Sequence, residues 1–185
     1  MLEKIIDLDK ELLVFLSGLG SSSFDGLWLM ITKPVYWTPF FLLIFYLVQN
    51  KLGWKKFGYY LLFTALLVLL CDQTANLFKW YFERPRPCND EEIKTIIRIV
   101  KSSPSYSFFS GHATNSMATS VFVFMILKKF YKHAYLLLLF PLLFAYSRIY
   151  LGLHFPSDII TGYAFGATYG FICYKIYLKF VIRNS

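Results

Sequence analysis

The chain has 185 residues, enough for one domain, of which 57% are hydrophobic and 21% aromatic, with a mean hydropathy of +0.50. This composition excludes an ordinary soluble domain, and its 20 Phe and 14 Tyr suit a membrane protein with interfacial aromatic belts. The net charge of +8 comes mostly from basic residues at the ends of apolar runs, with no basic tract interleaved with aromatics, so it excludes nucleic acid and points to orientation in a bilayer.

Residues 2–17 place Leu2, Ile5, Ile6, Leu12, Leu13 and Leu16 on one helical face and Lys4, Asp7, Lys10 and Glu11 mostly elsewhere. The run is too polar to span and too acidic for a secretory signal peptide. An interfacial helix within 1–20 is expected. After a break at GLGSSSFDG, a first span is expected over 27–48, kinked near Lys33-Pro34, with Lys33 snorkelling. Further spans are expected over 54–82, 110–127, 134–150 and 156–181, each roughly the 20 residues that a tilted helix needs. The expected fold is all-α: a polytopic membrane helix bundle of about five transmembrane helices plus the interfacial amphipathic helix. It forms one domain over 1–185, its bundle covering 24–182. The polar outer loop 83–107 is expected to carry a short helix over 90–100. Gly162, Gly166 and Gly170 recur every four residues, a small-residue face for close helix contact.

Cys71 and Cys173 fall in apolar runs and read as packing residues, Cys88 reads as exposed, and no zinc or CxxC spacing occurs. Lys51, Lys55 and Lys56, then Lys128, Lys129 and Lys132, then Lys175, Lys179 and Arg183, all fall on one side of a five-span chain. That side is expected to be cytoplasmic. The opposite side carries the N-terminal helix, the 83–107 loop and the turn at His154. His133, in a lysine-rich cytoplasmic turn, reads as solvated.

Three polar clusters lie at the outer ends of these spans. In KWYFERPRP, Lys79 and Arg86 are seven residues apart, and Pro85 and Pro87 stiffen the exit. Flanking positive charge at a helix end explains this cluster equally. Asp72, Asn76 and Lys79 share a face, and Asp72 reads chiefly as a helix-pairing acid. In Ser110-Gly111-His112, a helix N-terminus offers free N–H groups to an anion, Gly111 allows close approach, and His112 can protonate a leaving oxygen. A plain capped helix start would look the same. In SRIYLGLHFPSD, Arg148 can fork onto an oxyacid, His154 can act as nucleophile or base, and Asp158 can fix its tautomer. Pro156 and Asp158 also suit an ordinary helix start. The joint placement of the three clusters points to one phosphate-handling site.

Lys79-(x6)-Arg86-Pro87, Ser110-Gly111-His112 and Ser147-Arg148-(x5)-His154-(x3)-Asp158 resemble the three signature motifs of the type 2 phosphatidic acid phosphatase superfamily. The resemblance covers roughly 24–182. The family usually has proline where this chain has Phe109, a departure that bears on loop shape and substrate preference. The resemblance implies that His154 attacks phosphorus to form a phosphohistidine, that Asp158 orients it, and that His112 protonates the leaving oxygen. Lys79, Arg86, Ser110, Gly111 and Arg148 would hold the phosphoryl oxygens, with no metal and no other cofactor. The clusters themselves lack the paired carboxylates of two-metal phosphatases. The expected enzyme hydrolyses a lipid phosphate or diphosphate, with undecaprenyl diphosphate or phosphatidylglycerol phosphate as the leading substrates and lipid A as the alternative. The expected location is the bacterial inner membrane, with the active site facing the periplasm or cell exterior. A non-catalytic phospholipid-binding membrane protein and a phosphotransferase are the competing readings; two histidines argue against a mere phosphate clamp.

Overall fold

The computed structural model describes residues 2–183, and the side chains of 4–183; the predicted face position Leu2 lies outside the described side chains. Among the described residues the fold is all-helical. Six α-helices follow in order: α1 (Leu2–Gly18), α2 (Asp25–Ile31), α3 (Thr38–Phe82), α4 (Gly111–Leu127), α5 (Leu139–Tyr150) and α6 (Pro156–Arg183).

The first expected span is broken rather than kinked. Helix α2 stops at Ile31, a 3₁₀ turn runs over Pro34–Trp37, and α3 starts at Thr38. Proline at the head of that turn cannot continue the hydrogen-bond ladder of α2. Helix α3 is in turn two limbs, 38–52 and 54–82, because Gly53 takes φ 76° and ψ 168°. Only glycine takes that conformation without steric cost. Phe45 and Phe57 would lie ~18 Å apart along a straight helix, yet their ring centroids are 6.1 Å apart. The limbs therefore fold back on each other as a hairpin.

The centre of the fold is α4, which packs on α6, α3 and α5. Its contact with α6 is backbone to backbone. A Cβ added at Gly166 would lie 2.5 Å from the Thr114 carbonyl oxygen, and one at Gly162 would lie 2.8 Å from that of Ser110. The expected small-residue stripe thus sets the spacing of α4 and α6.

Helix α1 turns Asp9, Leu13 and Ser17 inward and leaves Ile5, Leu8, Leu12 and Phe15 exposed. The predicted apolar face is split: Ile5, Ile6 and Leu12 point outward beside exposed Lys4, Asp7 and Glu11, whereas Leu13 is buried and Leu16 packs against the same cluster. In the outer loop the expected helix over 90–100 does not form. Successive turns take its place, with Lys94 N–H bonded to the Asp90 carbonyl and Ile97 N–H to that of Ile93. The loop is pinned instead by buried Ile93 and Ile97 and by two bonds to the α5–α6 turn: Cys88 N–H to the Gly152 carbonyl and Lys101 N–H to that of Leu151. The same bonds cover Cys88, which is buried rather than exposed.

By length and composition, the helical stretch Pro34–Asn89 is long and apolar enough to cross a membrane, and only 17% of its most apolar window is buried. The bent pair Lys4–Gly18 and Ser22–Ile31, at 83°, passes the same test together, and Ala134–Tyr150 is a shorter apolar helix. Leu62, Leu66, Leu69 and Leu70 point outward from α3, more apolar surface than a soluble protein exposes.

Gly166→Ala is expected to lower the melting temperature in detergent, because the added methyl meets a carbonyl rather than a movable side chain. Overpacking of this kind costs about 1–3 kcal/mol. Gly26→Ala, which meets nothing within 4 Å, is expected to leave melting unchanged. Equal melting of the two variants would refute a spacing role for Gly166.

Candidate active site

Each of the three clusters is placed by a helix end. Helix α3 terminates at Glu83, in the left-handed region at φ 45°, one turn beyond Lys79. Pro85 and Pro87 then hold an extended exit that carries Arg84 and Arg86 inward. Ser110 is the N-cap of α4; its hydroxyl accepts from Ala113 N–H, and its own N–H donates to the Asp158 carbonyl at 3.1 Å. Arg148 sits in the last turn of α5. The connection to α6 is tight: Leu153 N–H bonds back to the Arg148 carbonyl at 2.9 Å, and Gly152 turns the chain at φ 74°.

His154 is fully buried and held from both sides. Its Nδ1 lies 3.3 Å from Asp158 Oδ2, and its Nε2 lies 3.0 Å from Arg86 Nη1. An arginine can only donate, so Nε2 carries the lone pair and Nδ1 the proton. Burial pushes the imidazole pKa down from 6.5 to about 3, against the pull of Asp158. His154 is therefore a neutral ring with its free lone pair directed at Arg86.

Asp158 is satisfied on both oxygens. Oδ2 accepts from Phe155 N–H at 2.9 Å, from the Ser107 hydroxyl and from His154. Oδ1 accepts from Arg84 Nη1 at 3.0 Å. Arg86 is oriented by Ser105, whose carbonyl takes Nε–H at 2.9 Å and whose hydroxyl takes Nη2–H at 2.9 Å, and by the Leu153 carbonyl. Arg148 donates from Nη1 to Thr32 Oγ1 at 2.8 Å, across 116 residues of sequence. Its buried Nε has no partner among the described residues.

All eight predicted site residues gather at one end of the bundle. Arg148, His154, Lys79 and Arg86 lie within electrostatic reach of the His112 ring. A Cβ at Gly111 would lie 4.0 Å from Lys79 Nζ, which sets the lysine beside the free N–H groups of α4. Lys79, Arg86 and Arg148 thus surround a helix N-terminus without a matching carboxylate for each, an arrangement that suits a polyanionic oxyacid. Among the described residues no group of three or more His, Cys, Asp or Glu is placed to hold a metal ion. Asp72 accepts a hydrogen bond from Asn115 Nδ2, a pairing of α3 with α4.

His112 stacks on Phe144, with centroids 5.3 Å apart, and Phe144 helps to line an apolar cavity of about 320 Å³. Phe40, Phe41, Tyr60, Asn115 and Phe140 form much of the rest of its wall. The polar cradle therefore adjoins a greasy cleft.

The sequence did not single out Asp9, Thr32, Ser105, Ser107 or Ser157; Arg84 belongs with Lys79, Arg86 and Arg148 to the outer basic residues assigned mainly to a site, but its partners were not foreseen. Arg84 carried a weak signal, standing in the same RPRP segment as Arg86. The others are small polar residues in no motif, and the long-range contacts that recruit them leave no local pattern.

A profile of the PAP2 superfamily matches residues 53–182. The lipid A 4'-phosphatase of Bacteroides thetaiotaomicron is 31% identical, over 99% of this chain and 83% of that protein. The lipid A 4'-phosphatase of Porphyromonas gingivalis is also 31% identical, over 96% of this chain and 76% of that protein. In fold, the chain is similar to the crystal structure of a transmembrane PAP2 type phosphatidylglycerolphosphate phosphatase from Bacillus subtilis. The TM-score is 0.74 at 20% identity, over 95% of this chain and 87% of that one. With three signature motifs folded into one cradle and a profile match over most of its length, the chain belongs to the PAP2 superfamily, the type 2 phosphatidic acid phosphatases.

Proposed function

We propose that the protein is a membrane lipid phosphatase that removes a phosphate from a lipid A-type substrate through a phosphohistidine. The observation that carries this reading is the buried His154 ring, held by Asp158 at Nδ1 and faced by Arg86 at Nε2, with Arg148 also close by. The sequence favoured undecaprenyl diphosphate or phosphatidylglycerol phosphate. The names of the two bacterial relatives favour the lipid A alternative.

In the proposed reaction the phosphoryl group lies between α4 and Arg148, its oxygens held by Lys79, Arg86, Arg148, Ser110 and the Gly111 N–H. A phosphate oxygen is a stronger acceptor than a neutral imidazole, so Arg86 transfers its Nη1 hydrogen bond to it and frees Nε2. Nε2 forms the N–P bond as the P–O bond to the lipid breaks. The departing oxygen takes a proton from His112. The ring, now positively charged, is stabilised by Asp158. Water then attacks phosphorus as the N–P bond breaks, its proton passing to His112, so that phosphate leaves, the His154 ring is neutral again and His112 is reprotonated. The aromatic cleft beside His112 receives part of an acyl chain.

The exposed apolar surface and the lysine clusters support five crossings, with Lys51, Lys56, Lys128 and Lys129 on the cytoplasmic side and the cradle facing outward. A single domain embedded this way presents its site where a lipid head group lies.

Phosphate release in detergent with excess chelator is expected from lipid A, and more slowly or not at all from undecaprenyl diphosphate, phosphatidylglycerol phosphate and phosphatidic acid. His154→Ala should abolish it, by about 10³-fold or more. Arg148→Ala removes an oxyanion donor and should cost about 10²–10³ in kcat. Release that vanishes with chelator, or that survives His154→Ala, overturns the mechanism; a different substrate ranking overturns only the substrate. Stability should also follow pH. Below 6.5 the unfolded chain protonates His154 while the folded chain resists it down to about 3, so stability rises with pH in that window and is lost as pH falls. His154→Asn should flatten this part of a melting-temperature profile, and an unchanged slope would contradict a buried neutral ring. Orientation is tested by thiol labelling of Ser102→Cys in the outer loop and His133→Cys. The first is expected to react from outside the cell and the second only after permeabilisation; the reverse pattern inverts the topology.

A further inference from the structure

We infer that α1 belongs to the reaction geometry: Asp9 and Arg84 act together as positioning residues for Asp158, the carboxylate that orients His154. The inference rests on the reading of His154 as nucleophile. It stands on a continuous set of contacts from the interfacial helix to the reactive ring. Arg84 Nη1 donates to Asp158 Oδ1 at 3.0 Å and to Ser157 Oγ at 2.8 Å, and its Nη2 donates to Asp9 Oδ2 at 2.7 Å. The guanidinium carbon lies over the Phe155 ring, 3.7 Å from its centroid, next in sequence to His154. Asp9 in turn accepts from Ser157 N–H at 2.8 Å and from the Ser157 hydroxyl, so it caps the first turn of α6 from another helix. Neither Asp9 nor Arg84 touches the cations of the cradle.

Charge explains why both are present. Arg84 alone beside Asp158 would neutralise the carboxylate and leave little to stabilise a positive ring. One guanidinium shared between two carboxylates leaves the group with a net charge of about −1. Asp158 is fully buried and Asp9 nearly so, and a buried net charge is unfavourable unless a counter-charge faces it. The His154 ring is that partner, because forming the N–P bond at Nε2 places positive charge on the ring while its Nδ1–H points at Asp158. Asp9 thus fixes Arg84 and also keeps Asp158 anionic toward the ring. Helix α1, which supplies Asp9, also exposes Ile5, Leu8, Leu12 and Phe15.

The test uses the full-length protein in detergent, on whichever of the four lipids above wild type turns over fastest. Asp9→Asn and Arg84→Gln are expected to lower kcat ten-fold or more with KM changed less than two-fold, and Arg84→Lys is expected to recover part of the loss. Melting temperatures are recorded alongside, and the Arg84 pair decides the matter if Asp9→Asn does not fold. A raised KM with unchanged kcat would show that Arg84 binds phosphate directly, and the inference falls. Lower melting temperature with unchanged kcat and KM would show a simple tether, and the inference falls again. Release that survives His154→Ala defeats the reading of the site itself, whatever the Asp9 and Arg84 variants do.

Discussion

The contact between α4 and α6 is the constraint on which the site depends. Gly162 and Gly166 bring the backbone of α6 onto the carbonyls of Ser110 and Thr114. Two helix N-termini then lie side by side, and the bond from Ser110 N–H to the Asp158 carbonyl locks them. One N-terminus carries Ser110, Gly111 and His112; the other follows His154 and carries Asp158. A side chain at either glycine would push the helices apart by more than a catalytic hydrogen bond tolerates. The exit of α3 and the end of α5 only have to reach the pair so formed, Lys79 by its own length and Arg148 with the help of Thr32.

Much of this arrangement is legible in the sequence. Hydropathy placed the apolar segments that become α3 to α6, because long apolar runs have few alternatives, although the first expected span breaks at Pro34 and α5 begins only at Leu139. The glycine spacing announced close helix contact. The three motifs named eight of the residues that converge, because each motif is local and its residue types have few uses in apolar surroundings. Two readings failed for one reason. The polar segment 90–100 had helical composition, and Cys88 stood in a polar loop, but both are decided by contact with the α5–α6 turn some 50 residues later. Local propensity gives way to such contacts. Asp9 was illegible for the same reason: in α1 it reads as one of several charges, and only the fold shows that it turns inward to Arg84 and Ser157.

The polar and apolar halves of the site constrain each other. Lys79, Arg86 and Arg148 repel one another at close range, and most of their bonds to the protein go to neutral groups such as the Leu153 and Ser105 carbonyls and Thr32. Such bonds orient a cation without neutralising it. The acids are few: Asp158 stands behind His154 and Asp9 behind Arg84, while Asp72, bonded to Asn115, lies beside Gly111 on the Lys79 side of the cradle and offsets part of that lysine's charge. The aromatic walls beside His112 set apolar surface next to the cradle, and the lower dielectric there would strengthen its interactions with the proposed phosphate.

Arg86 joins these features. It faces the lone pair of His154 through Nη1, while Ser105 holds Nε and Nη2. The ring is thereby kept in one tautomer from both sides, Asp158 requiring a proton on Nδ1 and Arg86 requiring none on Nε2. In the proposed reaction, a group that binds phosphate and also caps the nucleophile would link the two events. Nε2 would become free when an oxyanion has taken the Arg86 bond, which is also when a phosphorus atom is in reach. Because Ser105 fixes the far side of the guanidinium, this exchange needs a small rotation rather than a swing of the whole side chain, and the cradle can stay rigid while its nucleophile is uncovered.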